Sequence, residues 1–255
     1  MFAGNVADEF STKELEMESS LKGKSVLVAG GSSGMGLAVA TKAAALGATV
    51  HIVGRSPERL AEAKTAINGD VVTHHADISV ASDVAALAEN IQQVDHIVTT
   101  AADLTFKPFI QISDAEIEST FAAKFWGAVY LVRHFASRIP SNGSVTFFGG
   151  SAAYKALAGA SIVAAVNAAL DGFARTLALE LAPVRVNVLS PGVVETPAWG
   201  FLPEKDRAEL LKTIGAGLPV GRVGRPEELA DAAIFLMGNG YATGTVLQLD
   251  GGTNV

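Results

Sequence analysis

The sequence predicts an α/β fold, a doubly wound three-layer sandwich in which helices cover both faces of a parallel sheet. The first observation is that short apolar runs alternate with helical patterns from residue 25 onward. The second is that these runs, such as SVLVAG and TVHIVG, are apolar throughout and do not alternate with polar residues. Strands of that kind are buried on both faces, as a parallel sheet between two layers of helices requires.

The apolar runs predict strands at residues 25–30, 49–54, 71–77, 96–101, 144–150, 184–192 and 245–252. Helical periodicity predicts helices up to about residue 46, from 57, around 114–137, over 163–181 and from 226.

No internal repeat or flexible linker divides the chain, so we expect residues 21–255 to form a single domain. Residues 1–20 are polar and unpatterned, which predicts a mobile or loosely docked arm. The segment 195–222 breaks the alternation of strands and helices and mixes aromatic with charged residues. We interpret this segment as a lid.

Composition narrows the class of protein and its compartment. The 255 residues include 49% hydrophobic residues and no cysteine, which excludes disulfides and a cysteine nucleophile. A net charge of −7 argues against nucleic acid as a partner. The acidic N-terminus lacks the pattern of a signal peptide, and no uncharged apolar run reaches the roughly 18 residues that a membrane span needs. We therefore expect a soluble, cytoplasmic protein that binds small molecules and no membrane.

The loop AGGSSGMG, residues 29–36, lies between the first strand and the first helix. Gly30 permits a sharp exit from the strand, Gly34 allows backbone to approach a pyrophosphate, and Gly36 allows the helix to pack closely on the sheet. The helix N-terminus then offers N–H groups and a partial positive charge to the phosphates. In this position the loop predicts a dinucleotide site, with Ser32, Ser33 and Met35 also among its residues.

The second strand ends in VGRS, residues 53–56, and predicts which dinucleotide binds. A site for NAD needs a carboxylate here, whereas NADP needs a cation for its 2′-phosphate. Gly54 removes the carboxylate and Arg55 supplies the guanidinium, with Ser33 and Ser56 as possible further donors. The cofactor prediction is therefore NADP(H). The alternative is that Arg55 is only a solvated loop charge.

The whole pattern resembles the short-chain dehydrogenase/reductase family over residues 22–255. The motifs that carry the resemblance are AGGSSGMG, DIS at 77–79, DHIVTTAA, LDGFARTLALEL, VRVNVLSPGVVETP, GRVGRPEELADAAIFLMG and TGTVLQLDGG. The resemblance implies a Rossmann-type sheet of seven strands, a nicotinamide cofactor, and hydride transfer between an alcohol and a carbonyl. It also implies a homodimer or homotetramer, with the helices at 114–137 and 163–181 as the contact faces.

The resemblance extends the set of cofactor-binding residues. Asp77 closes the third strand, where it could bond the adenine amino group or instead cap a helix beginning at Ser79. Thr196 could bond the carboxamide or a phosphate, or be only a turn hydroxyl. The other candidates in this set are Ile78, Thr100, Ala101, Ala102, Asn167, Pro191, Gly192 and Val194.

The family's catalytic residues are an asparagine, a serine, a tyrosine and a lysine, and this chain has none of them in place. The four positions hold Lys124, Gly150, Val163 and Asn167 in that order. Because lysine and asparagine have exchanged helices, we hypothesise that the positive charge has moved within one pocket. Lys124 would then stabilise the substrate oxygen or the cofactor ribose, directly or through water, while the Asn167 amide bonds the ribose. The alternative is a solvated surface lysine.

Two side chains after the fifth strand are candidates to replace the missing acid, Ser151 and Tyr154, although Tyr154 could instead pack in the pocket wall. The histidines show no metal-ligand spacing, so no metal is predicted. Two functions remain open. One is an NADP(H)-dependent oxidoreductase of the carbonyl reductase or alcohol dehydrogenase type, with a non-standard active site. The other is a catalytically silent NADP(H)-binding sensor or scaffold.

Overall fold

The computed structural model describes residues 21–255, so the predicted N-terminal arm lies outside the described residues. Its seven strands form a single sheet in the order β3-β2-β1-β4-β5-β6-β7. All neighbouring strands are parallel. The strands are β1 Ser25–Ala29, β2 Thr49–Gly54, β3 Val71–His75, β4 His96–Thr99, β5 Ser144–Phe148, β6 Arg185–Pro191 and β7 Val246–Leu249.

Eight α-helices connect these strands within the described range, and the sandwich predicted from the sequence is confirmed. The helices are α1 Gly34–Ala45, α2 Pro57–Ala66, α3 Ala81–Asn90, α4 Asp114–Phe121, α5 Gly127–Phe135, α6 Ser161–Glu180, α7 Glu204–Ala216 and α8 Pro226–Gly238. The segment interpreted as a lid contains α7 in addition to loops. Whether the segment closes over a ligand stays a prediction.

Two apolar cores lie on opposite faces of the sheet. On β1, Leu27 packs in the core that contains the buried faces of α3, α5 and α6. The neighbouring Val26 and Val28 pack in the other core, against α1, α2 and α8. Because successive strand residues point to opposite faces, both faces of the central strands must be apolar, which explains the unbroken runs in the sequence.

The long helix predicted around residues 114–137 is interrupted. A π-helical turn, Ala122–Trp126, separates α4 from α5, and Lys124 lies at its centre. Single π-helical turns inside α-helices are rare and occur frequently at functional sites. The α-helical pattern in the sequence does not indicate this turn.

Helix α6 is long and apolar enough to cross a membrane by length and composition alone. In the structure it is a core helix, with Leu170, Ala174 and Leu177 buried in the core on one face of the sheet. A helix with those contacts is typical of a soluble protein.

Candidate active site

The strand order reverses between β1 and β4, and the glycine loop lies at that point. Gly30 has φ +84°, a left-handed conformation that favours glycine. A Cβ atom added to Gly36 would lie 2.2 Å from the Gly30 carbonyl oxygen and 2.5 Å from Thr100 Oγ1. Thr100 donates its hydroxyl to the carbonyls of Ala29 at 3.1 Å and Gly30 at 3.3 Å. The hydroxyl predicted to line the cofactor therefore fastens the loop to β1.

The N-terminus of α1 is open for an anion. Ser33 is the N-cap residue in an extended conformation, and its side chain makes no capping hydrogen bond. The first N–H groups of a helix have no partners within the helix, so an uncapped terminus keeps them available for phosphate oxygens. Gly34 has φ +53°, and a Cβ atom added to it would lie 3.4 Å from Thr196 Cβ. The loop after β6 therefore reaches the phosphate loop.

The ends of β2 and β3 form the corner where a 2′-phosphate is expected. Arg55 is exposed, and its backbone carbonyl is hydrogen-bonded to His75 Nε2 at 3.1 Å. A Cβ atom added to Gly54 would lie 3.3 Å from Ser32 Oγ, so Ser32 borders the same corner. Ser56 has a local role, because its hydroxyl accepts the Arg59 N–H and donates to Glu58. The Ser56 hydroxyl is therefore engaged within its own helix cap, and binding of a phosphate by Arg55 and Ser32 stays a prediction.

Asp77 does not cap a helix at Ser79, and that alternative is wrong. The helix begins at Ala81 with Val80 as its N-cap. One oxygen of Asp77 accepts both the N–H and the hydroxyl of Ser79, at 2.9 Å and 2.7 Å, and forms a turn before the helix. Ile78, the next residue in the predicted cofactor set, is buried in the core beside β4. Bonding of the adenine at this end of β3 stays a prediction.

The segment after β6 leads from the sheet into the lid. Thr196 precedes a short 3-10 turn, Pro197–Trp199, without making a side-chain capping bond, so its hydroxyl is not a turn cap. Val194 pairs with Gly224, and its carbonyl accepts the indole N–H of Trp199 at 2.9 Å. These contacts hold the Thr196 region beside the glycine loop.

Lys124 is buried, with 8% of its surface exposed, so the alternative of a solvated lysine is wrong. Its Nζ donates to the Gly149 carbonyl at 2.8 Å, at the carboxyl end of β5. Burial lowers the pKa of Lys124 to about 8, and the negative charge of Asp171 opposes this effect. At neutral pH the side chain is a buried ammonium with a readily released proton.

Asn167 lies beside the same pair of glycines and is 2% exposed. Its Nδ2 donates to the Gly150 carbonyl at 3.4 Å. Its Oδ1 is buried and has no hydrogen-bond partner among the described residues. Because the atom is shielded from solvent, a ribose hydroxyl could reach it only after a movement of the side chain, so bonding of the ribose by Asn167 stays a prediction. Lys124 and Asn167 therefore hold successive carbonyls of one dipeptide, which places the two exchanged residues in one neighbourhood.

The two candidate acids differ in their surroundings. The Tyr154 hydroxyl donates to Asp171 Oδ2, and burial together with this carboxylate raises the pKa of Tyr154 to about 12. A phenol held in this way is a poor acid, which opposes the role predicted for it. Ser151 begins the 3-10 turn Ser151–Ala153 directly after Gly150 and is half-buried. Ser151 is therefore adjacent to Gly150, one of the four positions at which this chain departs from the family's catalytic residues.

Asp171 was missed in the sequence analysis. It is 6% exposed on α6, and its position was readable, because residues 163, 167 and 171 share one face of a helix. A carboxylate on the buried face of an apolar helix is a signal for a polar site.

Together the strand order, the glycine loop at its switch point and the open helix terminus define a dinucleotide-binding protein of the Rossmann type. The comparisons with known proteins identify its family. A family model described as enoyl-(acyl carrier protein) reductase matches residues 29–254. The chain belongs to the short-chain dehydrogenase/reductase family.

Three similar proteins illustrate the relationship. The short-chain dehydrogenase/reductase ATR9 of Stachybotrys chlorohalonatus is 30% identical, over 91% of this chain and 97% of that protein. The 3-oxoacyl-(acyl-carrier-protein) reductase FabG of Chlamydia pneumoniae is 31% identical, over 92% of this chain and 99% of its own length. A crystal structure of a small-chain dehydrogenase in complex with NADPH superposes with a TM-score of 0.79 and 31% identity, covering 91% of this chain and 98% of that chain.

Proposed function

We propose that this protein is an NADP(H)-dependent oxidoreductase that interconverts carbonyls and alcohols with Lys124 in place of the family's tyrosine and lysine. The observation that carries the proposal is the buried Lys124 ammonium at the end of β5, next to Asn167 and on the same edge of the sheet as the glycine loop. We also propose the cytoplasm as its compartment and a homodimer or homotetramer as its assembly, from the absence of cysteine and from the family.

The residues present fit the cofactor. Gly36 allows the close approach of α1 that a pyrophosphate site needs, and the N-terminus of α1 has no side-chain cap that would compete with a phosphate. Arg55 and Ser32 would hold the 2′-phosphate. A similar protein of known structure binds NADPH, which supports the same choice here.

When bound, a nicotinamide supplies or accepts the hydride. The chain must then supply a proton to the substrate oxygen. Lys124 is suited to this step because its pKa of about 8 lies close to neutral pH, where general acids work best. The proton would pass from Nζ directly or through water, and Ser151 would hold the substrate oxygen. Tyr154 is not assigned this step, because its proton is held by Asp171.

The pH dependence follows from this assignment. Reduction needs the protonated ammonium, so kcat/KM for carbonyl reduction should fall as pH rises through about 8. Oxidation of an alcohol needs the neutral amine and should rise over the same range. A rate of reduction that stays level from pH 7 to well above the Lys124 pKa would contradict the assignment.

The second candidate function is a silent NADP(H)-binding sensor or scaffold. Burial of Val163 at the family's tyrosine position favours it, because a valine cannot donate a proton. Both functions require cofactor binding, so binding alone does not separate them.

The experiment measures NADPH binding by fluorescence titration and then turnover on a panel of aldehydes, ketones and alcohols. We compare wild type with Lys124→Met and with Lys155→Met, whose Nζ bonds the distant Thr253 carbonyl. We expect turnover in the wild type and a loss of roughly 10²–10⁴-fold in kcat for Lys124→Met only, with NADPH binding retained. Tight binding without turnover on the whole panel would support the silent function.

A further inference from the structure

Asp171 is a buried carboxylate on α6, and it has no role in the function proposed above. Asp171 follows Asn167 by one helical turn on α6 and lies between Leu170 and Ala174, which are both fully buried. Burying a carboxylate is costly unless it is paired or hydrogen-bonded. A carboxylate at this buried position therefore indicates that its negative charge has a role in the site.

The contacts of Asp171 lead to Lys124. Oδ2 of Asp171 accepts the Tyr154 hydroxyl. Oδ1 lies 3.8 Å from the position that a Cβ atom would take on Gly149. The carbonyl of the same Gly149 accepts Lys124 Nζ at 2.8 Å. The ammonium and the carboxylate thus both lie beside Gly149, without forming a direct ion pair.

We propose that Asp171 is a positioning residue, the counter-charge that keeps the Lys124 ammonium at the Gly149 carbonyl, and that Tyr154 fixes the Asp171 carboxylate in turn. Tyr154 would then act by holding a carboxylate, two steps away from the reacting atoms. A Cβ atom on Gly149 would lie 2.9 Å from Val188 Cγ1, so β6 leaves little room for a side chain at this position.

The charges that face this group come from three elements. They are Lys124 on the π-helical turn, Asp171 and Arg175 on α6, and Tyr154 after β5. Burial lowers the pKa of Lys124, and the Asp171 charge raises it. Burial raises the pKa of Asp171, while the Tyr154 hydrogen bond and the charges of Arg175 and Lys124 lower it. Removing the Asp171 charge should therefore lower the pKa of Lys124 and leave more of the lysine neutral at pH 7.

The test follows Lys124 directly. Full-length protein is labelled with ¹³C at lysine Cε, and Lys124→Met identifies its signal during an NMR titration. We expect Lys124 in wild type to titrate near pH 8 and to shift down by about one unit or more in Asp171→Asn. Asp171→Glu should restore most of the shift. Tyr154→Phe should shift the titration in the same direction by less. Glu180→Gln, an exposed carboxylate on the same helix, is the control and should not shift it.

The kinetic part of the test rests on the proposed function, whereas the NMR titration of Lys124 does not depend on it. In the pH profile of kcat/KM for reduction, Asp171→Asn should move the fall in rate to lower pH, with the KM for NADPH little changed. If Lys124→Met stays active, the proposed function fails, but the NMR shift still tests the inference. A Lys124 titration that is the same in wild type, Asp171→Asn and Tyr154→Phe would overturn it. If Asp171→Asn does not fold, Tyr154→Phe decides alone, since Tyr154 is 43% exposed.

Discussion

The polar groups at the edge of the sheet where the parallel strands begin differ in their hydrogen bonding from those at the edge where the strands end. At the edge where the strands begin, Asp95 accepts Lys24 Nζ at 3.0 Å and the Ser25 N–H at 2.9 Å. Next to it, His96 Nδ1 is 2.9 Å from Ser144 Oγ. These groups link β1, β4 and β5, and most of them are satisfied by one another, with the buried Ser25 Oγ as an exception. Their arrangement contributes to stability and leaves little for a ligand.

At the edge where the strands end, polar groups are left open or charged. The N-terminus of α1 has no side-chain cap, Asn167 Oδ1 has no partner among the described residues, and Lys124 is a buried cation. Unpartnered or charged buried groups cost stability, and the uncapped helix terminus suits a bound phosphate. The polar groups at the amino ends of the strands thus mainly stabilise the fold, whereas those at the carboxyl ends are available for binding. Substitutions at the amino ends should therefore change the free energy of unfolding, and substitutions at the carboxyl ends should change NADPH binding.

The largest effect on NADPH binding is expected at Gly36. In Gly36→Ala the new Cβ would lie 2.2 Å from the Gly30 carbonyl oxygen, so the glycine loop must move. We expect NADPH binding to weaken by more than roughly 100-fold, or about 3 kcal/mol, measured by fluorescence titration. The control is Gly172→Ala on α6, where an added Cβ meets nothing within 4 Å. Equal NADPH affinities for the two variants would break the comparison.

The next effect belongs to the opposite edge and appears in stability. Burial lowers the pKa of His96 to about 4 from an ordinary value of 6.5. Between these values the unfolded chain binds more protons than the folded one, so the free energy of unfolding falls as pH falls. The loss should reach about 3 kcal/mol over the whole window.

The measurement for His96 is urea unfolding of wild type and His96→Asn at pH 7 and at pH 5. Asparagine keeps a hydrogen-bonding group near Ser144 but does not titrate in this range. Wild type should lose more stability than His96→Asn on going to pH 5, while NADPH binding at pH 7 stays the same in both. Equal acid sensitivity of the two chains would show that His96 is not the group responsible.

The fold could be predicted from sequence because its signals are local. Unbroken apolar runs such as SVTFFGG have one explanation, burial on both faces, and the glycine loop lies between a strand and a helix that are adjacent in sequence. The strand order could not be worked out from these runs alone, and the resemblance implied only a Rossmann-type sheet of seven strands. The π-helical turn at Ala122–Trp126 was missed because it depends on how the helix packs, which the α-helical pattern does not record.

The site was predictable in part for the same reason. The sequence placed Lys124 and Asn167 in one pocket, but it could not supply the Gly149 carbonyl, which is 25 residues from Lys124. It also left Tyr154 as either an acid or a part of the pocket wall, whereas in the structure the Tyr154 hydroxyl donates to Asp171. Hydrogen-bond partners that the sheet brings together from distant parts of the chain cannot be identified in a single sequence. Asp171 could have been noticed only because a carboxylate is unusual on the apolar face of a helix.

A smaller effect is expected at Arg55, and it tests which residue at the carboxyl ends of the strands binds the 2′-phosphate. If the exposed guanidinium holds the 2′-phosphate, Arg55→Ala should weaken NADPH binding by roughly 10- to 100-fold, the range for hydrogen bonds to a charged group. NADH, which lacks that phosphate, should bind almost unchanged. Both affinities are measured by fluorescence titration, with Arg59→Ala on α2 as the control. Parallel losses for the two cofactors would remove Arg55 from the 2′-phosphate site.

The smallest effect concerns the serine that the family has at residue 150. Gly150 has φ 166°, an extended conformation open to any residue, so only the contact with Asn167 opposes a side chain. An added Cβ would lie 2.7 Å from Asn167 Nδ2, the end of a side chain that can give way by losing its bond to the Gly150 carbonyl. We expect Gly150→Ser to lower the free energy of unfolding by about 1 kcal/mol. In a chain that already carries Asn167→Ala the same change should cost less, and a double-mutant cycle measures the difference. Additive losses would mean that Asn167 does not exclude the serine, and the two departures from the family would then be independent changes at the carboxyl ends of the strands.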